Sequence, residues 1–356
     1  MHCLVVYSDS PAFEPYSYYT DWKNGFVRHP HLKTDVLDVQ DYRFLKQSLG
    51  LRNRYDLIVF AHSVFTGLFR TKRLQAVKAV MARVRGPRVF FLSNEFRNLD
   101  NMPSMAEYLG ARWIISQLNL EDAKVLYHPH WNHHIASLSY GFDPEVFKPT
   151  QSAAERPIDV GFRGDYYPPY VGHDDRDILL DKFKEAMQNK PGVRTDIEVG
   201  QRFKHLEWAA FLNNCRSLLG HEAGAARIDS DENIRHFLNA QHRRLLPDNF
   251  RKLLLTMREV GVFDPPPSGR IAAPRNFEAL GTKTVQILLP GRYNDLLEPG
   301  VHYIELQRDF SNLDQVLETL FDSSAYDKIA ERAYKDGLEY HTYEKRVTEL
   351  LNKVLG

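Results

Sequence analysis

The stretch APRNFEALGTKTVQILLPG, Ala273 to Gly291, decides how this chain is read. It parses as a short helix, a glycine stop and a strand buried on both faces. Pro274 suits the first helical position, because its φ is already helical and the N–H it lacks would be an orphan there. The amides of Arg275, Asn276 and Phe277 then point outward with the positive end of the helix dipole, which makes a natural phosphate site. Arg275 adds a guanidinium fork suited to a diphosphate. Glu278, read as lying in the first turn, would repel phosphate at close range. Two roles stay open for it: accepting hydrogen bonds from ribose hydroxyls, or stabilising its own helix.

Working outward, 356 residues suit two domains of ordinary size. A hydrophobic content of 43% with 26% charged residues describes an ordered globular chain. Lys+Arg and Asp+Glu balance at 46 each, which argues against a general nucleic-acid binder while leaving room for a local anion site. Cys3 and Cys215 match no metal spacing and read as buried thiols in a reducing compartment. The amino terminus lacks signal-peptide character, and no apolar run is long enough to span a bilayer.

The first half alternates apolar runs with helical stretches: CLVVYSD, KTDVLDV, YDLIVFAHS, PRVFFLSNE, ARWIISQ and AKVLYHP all read as strands. Continuous rather than alternating apolar runs suit a parallel sheet covered on both faces. Such a doubly wound sheet binds ligands beyond the carboxyl ends of its strands, where Ser8, Asp9, His62, Ser63, Asn94, Glu95, Ser116 and Gln117 gather. A proline-containing hinge follows, and a second alternating set begins at IDVGFRGD. The expected organisation is a first domain over 1–139, a second over 140–335 with an insertion at 226–270, and a terminal helix over 336–356 packing back on the first domain. The insertion is expected to be helical with a solvated charged face, and a contact with an acceptor or a membrane surface is the other reading of it.

Several chemistries are excluded or disfavoured. No G-x-G-x-x-G follows a strand, against nicotinamide binding, and no P-loop motif is present. HPHWNHH, with His128, His130, His133 and His134, has no interleaved carboxylate and fits no catalytic zinc spacing; a hydrogen-bonded strand end is preferred. No metal and no resident cofactor is expected.

The motifs SYGFDPEVFKP, IDVGFRG, HEAG, RNFEALGTKTVQILLPG and LLEPGVHYIEL together resemble GT-B glycosyltransferases of the retaining group-one type, nearest to the branch with a CgeB-like C-terminal domain found in bacterial surface-polysaccharide clusters. The resemblance runs from about Tyr140 to the C-terminus and is architectural before that. It implies two Rossmann-like doubly wound α/β domains facing across a cleft. It also implies a nucleotide-diphosphate sugar as co-substrate, bound without a metal by helix dipoles and basic groups. Glu278 matches the family's ribose-binding glutamate, and Arg163 matches a basic residue that pairs with the diphosphate. Gly161 and Gly164 would let backbone approach that group, and Arg176, Arg275 and Lys204 compete to be its second cation. The family's first motif glutamate stands eight positions before the second, and Arg270 occupies that position here. Glu222 in HEAG is the substitute, facing the donor sugar. His62 is the matching histidine of the N-terminal domain, with Asp9, Asn94 and Glu95 as acceptor-binding or general-base residues.

The expected function is sugar transfer from that donor to a glycan, lipid-linked glycan or other hydroxyl acceptor in surface-polysaccharide synthesis. The setting is the cytoplasm, with a peripheral contact at the inner face of the membrane left open. A non-catalytic nucleotide- or sugar-binding protein on the same scaffold is the alternative, and an oxidoreductase a third reading.

Overall fold

A computed structural model describes residues 1–14, 16–69, 71–264 and 266–356. The amino-terminal half builds six strands: β1 (His2–Tyr7), β2 (Lys33–Asp38), β3 (Leu57–Phe60), β4 (Arg88–Phe91), β5 (Trp113–Ser116) and β6 (His134–Ser137). They form one sheet in the order β2-β1-β3-β4-β5-β6, and every pairing is parallel. Successive side chains point to opposite faces, and both faces are covered. Leu4, Val6, Ile58, Phe60 and Phe90 enter one core with Met81 and Met102. Cys3, Val5, Leu57, Val59 and Phe91 enter another with Trp22 and Phe26. Two-sided burial is why these strands read as unbroken apolar runs.

One expected strand is a helix. AKVLYHP belongs to the helix Leu120–Tyr127, and the last strand is instead the histidine-led β6. Asp122, Ala123, Leu126 and Tyr127 are the buried positions, a helical spacing that the short apolar run concealed. Glu121 and Asp122 in the first turn complement the dipole.

The second half builds β7 (Ile158–Gly164), β8 (Thr195–Val199), β9 (Cys215–Gly220), β10 (Ala223–Ala225), β11 (Gly269–Ile271), β12 (Val285–Leu288) and β13 (Tyr303–Glu305). Five of them form a parallel sheet in the order β13-β12-β9-β7-β8, and β10 and β11 make a separate antiparallel ribbon. That ribbon closes the neck of the 226–270 segment, whose helices are Asn233–His242 and Pro247–Glu259.

The deciding stretch folds as the helix Pro274–Gly281 followed by β12, with two changes of detail. Glu278 is the fifth helical residue, so it lies past the first turn and is not placed to stabilise the dipole. The left-handed turn residue is Lys283, with φ of 55°, and not Gly281. A Cβ on Gly281 would meet the Phe142 ring and the Phe147 carbonyl at 2.6 Å, so this glycine serves close packing against the interdomain segment.

The chain passes between the sheets along 138–157 and returns at 341–343. The two passages are joined: the Phe142 N–H donates to the His341 carbonyl at 3.1 Å, and the Tyr343 N–H donates to the Phe142 carbonyl at 3.0 Å. The final helix, Tyr343–Leu355, begins with its Thr342 side chain accepting from the Lys345 amide. It lies on the helix Ser17–Arg28 and buries Tyr343, Val347 and Leu350 in the amino-terminal core. Large apolar side chains removed from water contribute about 1.5–3 kcal/mol each.

Candidate functional site

The carboxyl ends of both parallel sheets face one cavity of about 450 Å³. This is where ligands sit in doubly wound sheets. A shallower groove of about 870 Å³ lies at the opposite, amino-terminal strand ends of the first sheet, bounded by Asn53, Arg54 and Arg85. It faces no second domain. The cleft between the two sheets is therefore the candidate site.

The carboxyl-terminal wall is cationic. Arg163, Arg176, Arg202 and Arg275 all line it, and they are not equivalent. Arg163 closes β7 and turns back onto Asp196 of β8, with contacts of 2.7 and 2.8 Å to its two oxygens. Its guanidinium also lies 4.5 Å from the Phe211 ring centre. Arg202 pairs with Asp165 at 2.5 Å. Among the described residues, neither Arg176 nor Arg275 has a carboxylate partner. Arg176 donates to the Asp165 carbonyl at 2.8 Å and, through Nε, to His221 Nε2 at 3.1 Å, with its guanidinium 3.9 Å from the Tyr167 ring centre. Arg275 donates to the Arg163 carbonyl at 3.2 Å. Burial, with Arg176 nearby, lowers its pKa to about 10, so it remains charged at neutral pH. Arg176, buried, and Arg275, half-buried, thus have no salt-bridge partner among the described residues, an arrangement suited to an anion.

Gly164 fits that site and Gly161 does not. Gly164 has φ of +150°, lines the cleft and lies directly beneath the Arg275 guanidinium. A Cβ on Gly161 would instead meet Cys215 Sγ at 2.4 Å, so this glycine faces the helix layer. The expected helix amides are partly used. The Asn276 N–H donates to the Ala273 carbonyl at 3.0 Å, and its side chain accepts from the Ala273 N–H and donates to Gln286. Phe277 is wholly buried.

Glu278 is 3% exposed yet lines the cleft. Its carboxylate accepts from the Trp208 indole N–H at 2.6 Å and from the hydroxyl of Ser17, which opens the helix Ser17–Arg28 in the other domain. Burial raises its pKa, opposed by these two hydrogen bonds. It is a carboxylate held ready for neutral donors, and one of those donors comes from across the cleft.

The amino-terminal wall is aromatic, its buried polar groups satisfy one another, and the exposed Arg97 lies among its lining residues. Asn94, with φ of 52°, and Glu95 both line it after β4. Glu95 accepts from Ser116 and from the Gln117 amide at 2.7 Å, and from Tyr127 at 2.8 Å. Burial raises its pKa to about 7 despite those bonds. Tyr140 donates to Gln117 at 2.9 Å, and Tyr18 packs on Tyr140 at 5.0 Å.

Besides Gly161, Asn276 and Phe277, three more expected residues lie outside the lining. His62 begins the helix His62–Leu68, is 1% exposed, and sits behind Tyr18 and Tyr140 among Trp22 and Phe91. Burial lowers its pKa to about 3, so it is neutral. Glu222 accepts the Arg292 and Tyr293 amides at 3.0 and 2.8 Å, fixing the loop after β12. Asp9 is exposed, with its amide on Asp38. Arg270, standing where the family has a glutamate, pairs with Asp175 at 2.8 Å, and Arg308 holds the second oxygen of Asp175 at 2.7 Å. Lys204 pairs with Glu14. Trp208, Ser17 and His221 went unnoticed in the sequence; a tryptophan within EWAAF was the single usable sign of the first.

A glycosyl transferase-like family model matches residues 183–352, slightly under half of the chain. No curated protein matches it. Among solved structures, Anabaena HepE in complex with UDP and glucose aligns over 99% of this chain and 100% of its own, at 14% identity and a TM-score of 0.51. Sucrose-phosphate synthase from Thermosynechococcus elongatus aligns over 99% and 98%, at 9% identity and 0.52. The DNA-modifying enzyme β-glucosyltransferase, solved with and without its substrate uridine diphosphoglucose, aligns over 99% of both chains, at 10% identity and 0.52. The likeness in arrangement extends over both sheets: the fold is GT-B, two doubly wound α/β domains facing across a cleft.

Proposed function

We infer that the protein is a glycosyltransferase that binds a nucleotide-diphosphate sugar in the interdomain cleft and transfers the sugar to a hydroxyl acceptor. One observation carries this reading: two cations with no salt-bridge partner among the described residues, Arg176 and Arg275, share a cavity with a buried carboxylate, Glu278, that already accepts a hydroxyl. The Ser17 hydroxyl stands in for a ribose hydroxyl, and the donor replaces it. Arg176 and Arg275 take the diphosphate. As the bond from sugar to diphosphate breaks, negative charge grows on the leaving group, and fixed cations in a partly desolvated cleft stabilise it most. The aromatic wall around Tyr18 and Tyr140 receives the acceptor, with Asn94 and Glu95 as its polar groups. His62 and Glu222 have positioning roles here, behind the aromatic wall and under the loop 291–293.

The finer features rest on the sequence resemblance alone: retention of configuration, independence of metal, a glycan or lipid-linked glycan acceptor, and a place in cytoplasmic surface-polysaccharide synthesis. Thermal-melting titrations with UDP, GDP, dTDP and CMP test the reading, since a ligand at a hundred times its Kd adds about 2.7 kcal/mol. Stabilisation by one nucleoside diphosphate, with loss of that shift in Glu278→Ala, is expected. No shift with any of them, or an unchanged shift in the variant, refutes it.

A second reading has its own observation. Arg270 is tied to Asp175 and Glu222 to backbone, so neither presents a carboxylate to a donor sugar. A protein that binds the nucleotide and transfers nothing fits that arrangement. Slow donor hydrolysis supports transfer; binding without turnover, even with acceptor extracts present, supports the module.

A further inference from the structure

The excursion between β10 and β11 ends in a two-helix hairpin with a largely exposed outer surface. Its inner side is a small core of Leu238, Phe250 and Leu254, packed against Tyr170 of the cleft lining. It is tied to both domains: Glu232 accepts the Leu99 amide at 2.8 Å, and Arg258 approaches Asp174 at 3.7 Å. The hairpin is therefore fixed at the cleft's edge.

Its outer surface combines two features that soluble proteins usually keep apart. Leu246 at the tip is 72% exposed and Val260 at the far end 69%, with Leu255 and Phe237 also exposed. Around them stand cations. Residues 233–263 contain six Lys and Arg against only Asp248 and Glu259, in a chain whose net charge is zero. Among the described residues, none of Arg243, Arg244, Arg251 and Lys252 forms an ion pair. Arg251 and Lys252 flank Leu255 at positions −4 and −3, which places them on its helical face. Cations alone would suit any polyanion. Leucines projecting among them suit a surface that is anionic outside and apolar a few ångströms within, the arrangement of interfacial helices on membranes.

We propose that the hairpin 233–263 docks the protein on an anionic phospholipid bilayer and thereby sets the cleft beside it, within reach of an acceptor carried on a lipid. The lipid-carried acceptor rests on the transferase reading above; the docking surface does not. No helix in the described chain is long and apolar enough to cross a membrane, so attachment is to the surface.

The test is co-sedimentation of the full chain with vesicles of phosphatidylcholine alone and of phosphatidylcholine with phosphatidylglycerol. Binding to the second only, weakened by salt, is expected. Arg243→Ala with Arg244→Ala weakens it about thirtyfold, because each basic residue at a membrane surface contributes roughly one unit of 1 kcal/mol. Leu246→Ser with Leu255→Ser weakens it at unchanged charge. Absence of wild-type binding, equal binding to both vesicles, or wild-type binding by the arginine pair overturns the proposal. Full binding by the serine pair also overturns it, pointing to a polyanion such as nucleic acid instead. All these positions are exposed, so the folded state is retained. Nucleotide-dependent melting of the same proteins reports separately on the cleft: its absence beside intact vesicle binding would count against the transferase reading alone.

Discussion

The two walls of the cleft are built from the same kind of sheet and end in opposite chemistry. On the amino-terminal side the buried polar groups are already consumed, Glu95 by three donors and Gln117 by Tyr140; rings fill much of the remaining space, and Arg97 stands exposed at its edge. On the carboxyl-terminal side two arginines have no salt-bridge partner among the described residues, and a buried glutamate borrows a hydroxyl from the opposite domain. A wall that satisfies itself can offer shape and stacking with little electrostatic demand. A wall left unsatisfied is complete only with a ligand. That asymmetry divides the labour between acceptor and donor.

The comparison breaks most readily at the arginines. Replacing both Arg176 and Arg275 by Ala should lower affinity for a nucleoside diphosphate at least a hundredfold, since hydrogen bonds to charged groups contribute about 1.5–3 kcal/mol each. Isothermal titration reads this directly, and a loss below threefold would make the two walls equivalent. Glu278→Ala should cost roughly tenfold in the same assay, while Glu95→Gln leaves donor affinity within about twofold, the scatter expected of a distant site. Comparable losses in the two variants would erase the distinction.

A pH series sharpens it. The Glu95 carboxyl is pushed up to about 7 by burial, so the folded state keeps a proton that the unfolded state has released. Its contribution to stability is complete below the ordinary carboxyl range and disappears as pH climbs toward about 7. The melting temperature should fall over that window in the wild type and flatten in Glu95→Gln. The smallest effect belongs to the interdomain pair of Asp21 and His205, 3.2 Å apart. Burial raises Asp21 to about 6, and hydrogen bonding to Asp21 raises His205 against its own burial. In Asp21→Asn the His205 midpoint followed by NMR should therefore move down; an unmoved midpoint would detach the pair.

The doubly wound fold was legible because burial on both faces writes itself as unbroken apolar runs, which name a parallel sheet almost unaided. The exception shows the limit. In 120–127 the helical period is carried by four buried positions, too short a sample to separate from a strand. The donor wall was half legible. Pro274, Arg275 and Glu278 announce a helix start, a cation and a carboxylate within five residues. Two partners were not, because Ser17 and Trp208 reach the site from two other helices and share no local pattern with it, while Arg176 was one of three candidate cations that spacing did not separate. Arg163 shows a related limit: the resemblance places an arginine at a strand end, and only the neighbouring strand reveals its ion pair with Asp196.

The doubled passage between the domains has a mechanical consequence. One covalent crossing would leave two bodies free to swing, twist and slide. Here the outgoing segment at Phe142 and the returning one at His341–Tyr343 are hydrogen-bonded side by side, and the last helix is anchored in the opposite body. Two adjacent pivots define an axle. Any opening of the cleft must part Ser17 from Glu278, so donor entry is coupled to the loss of that contact.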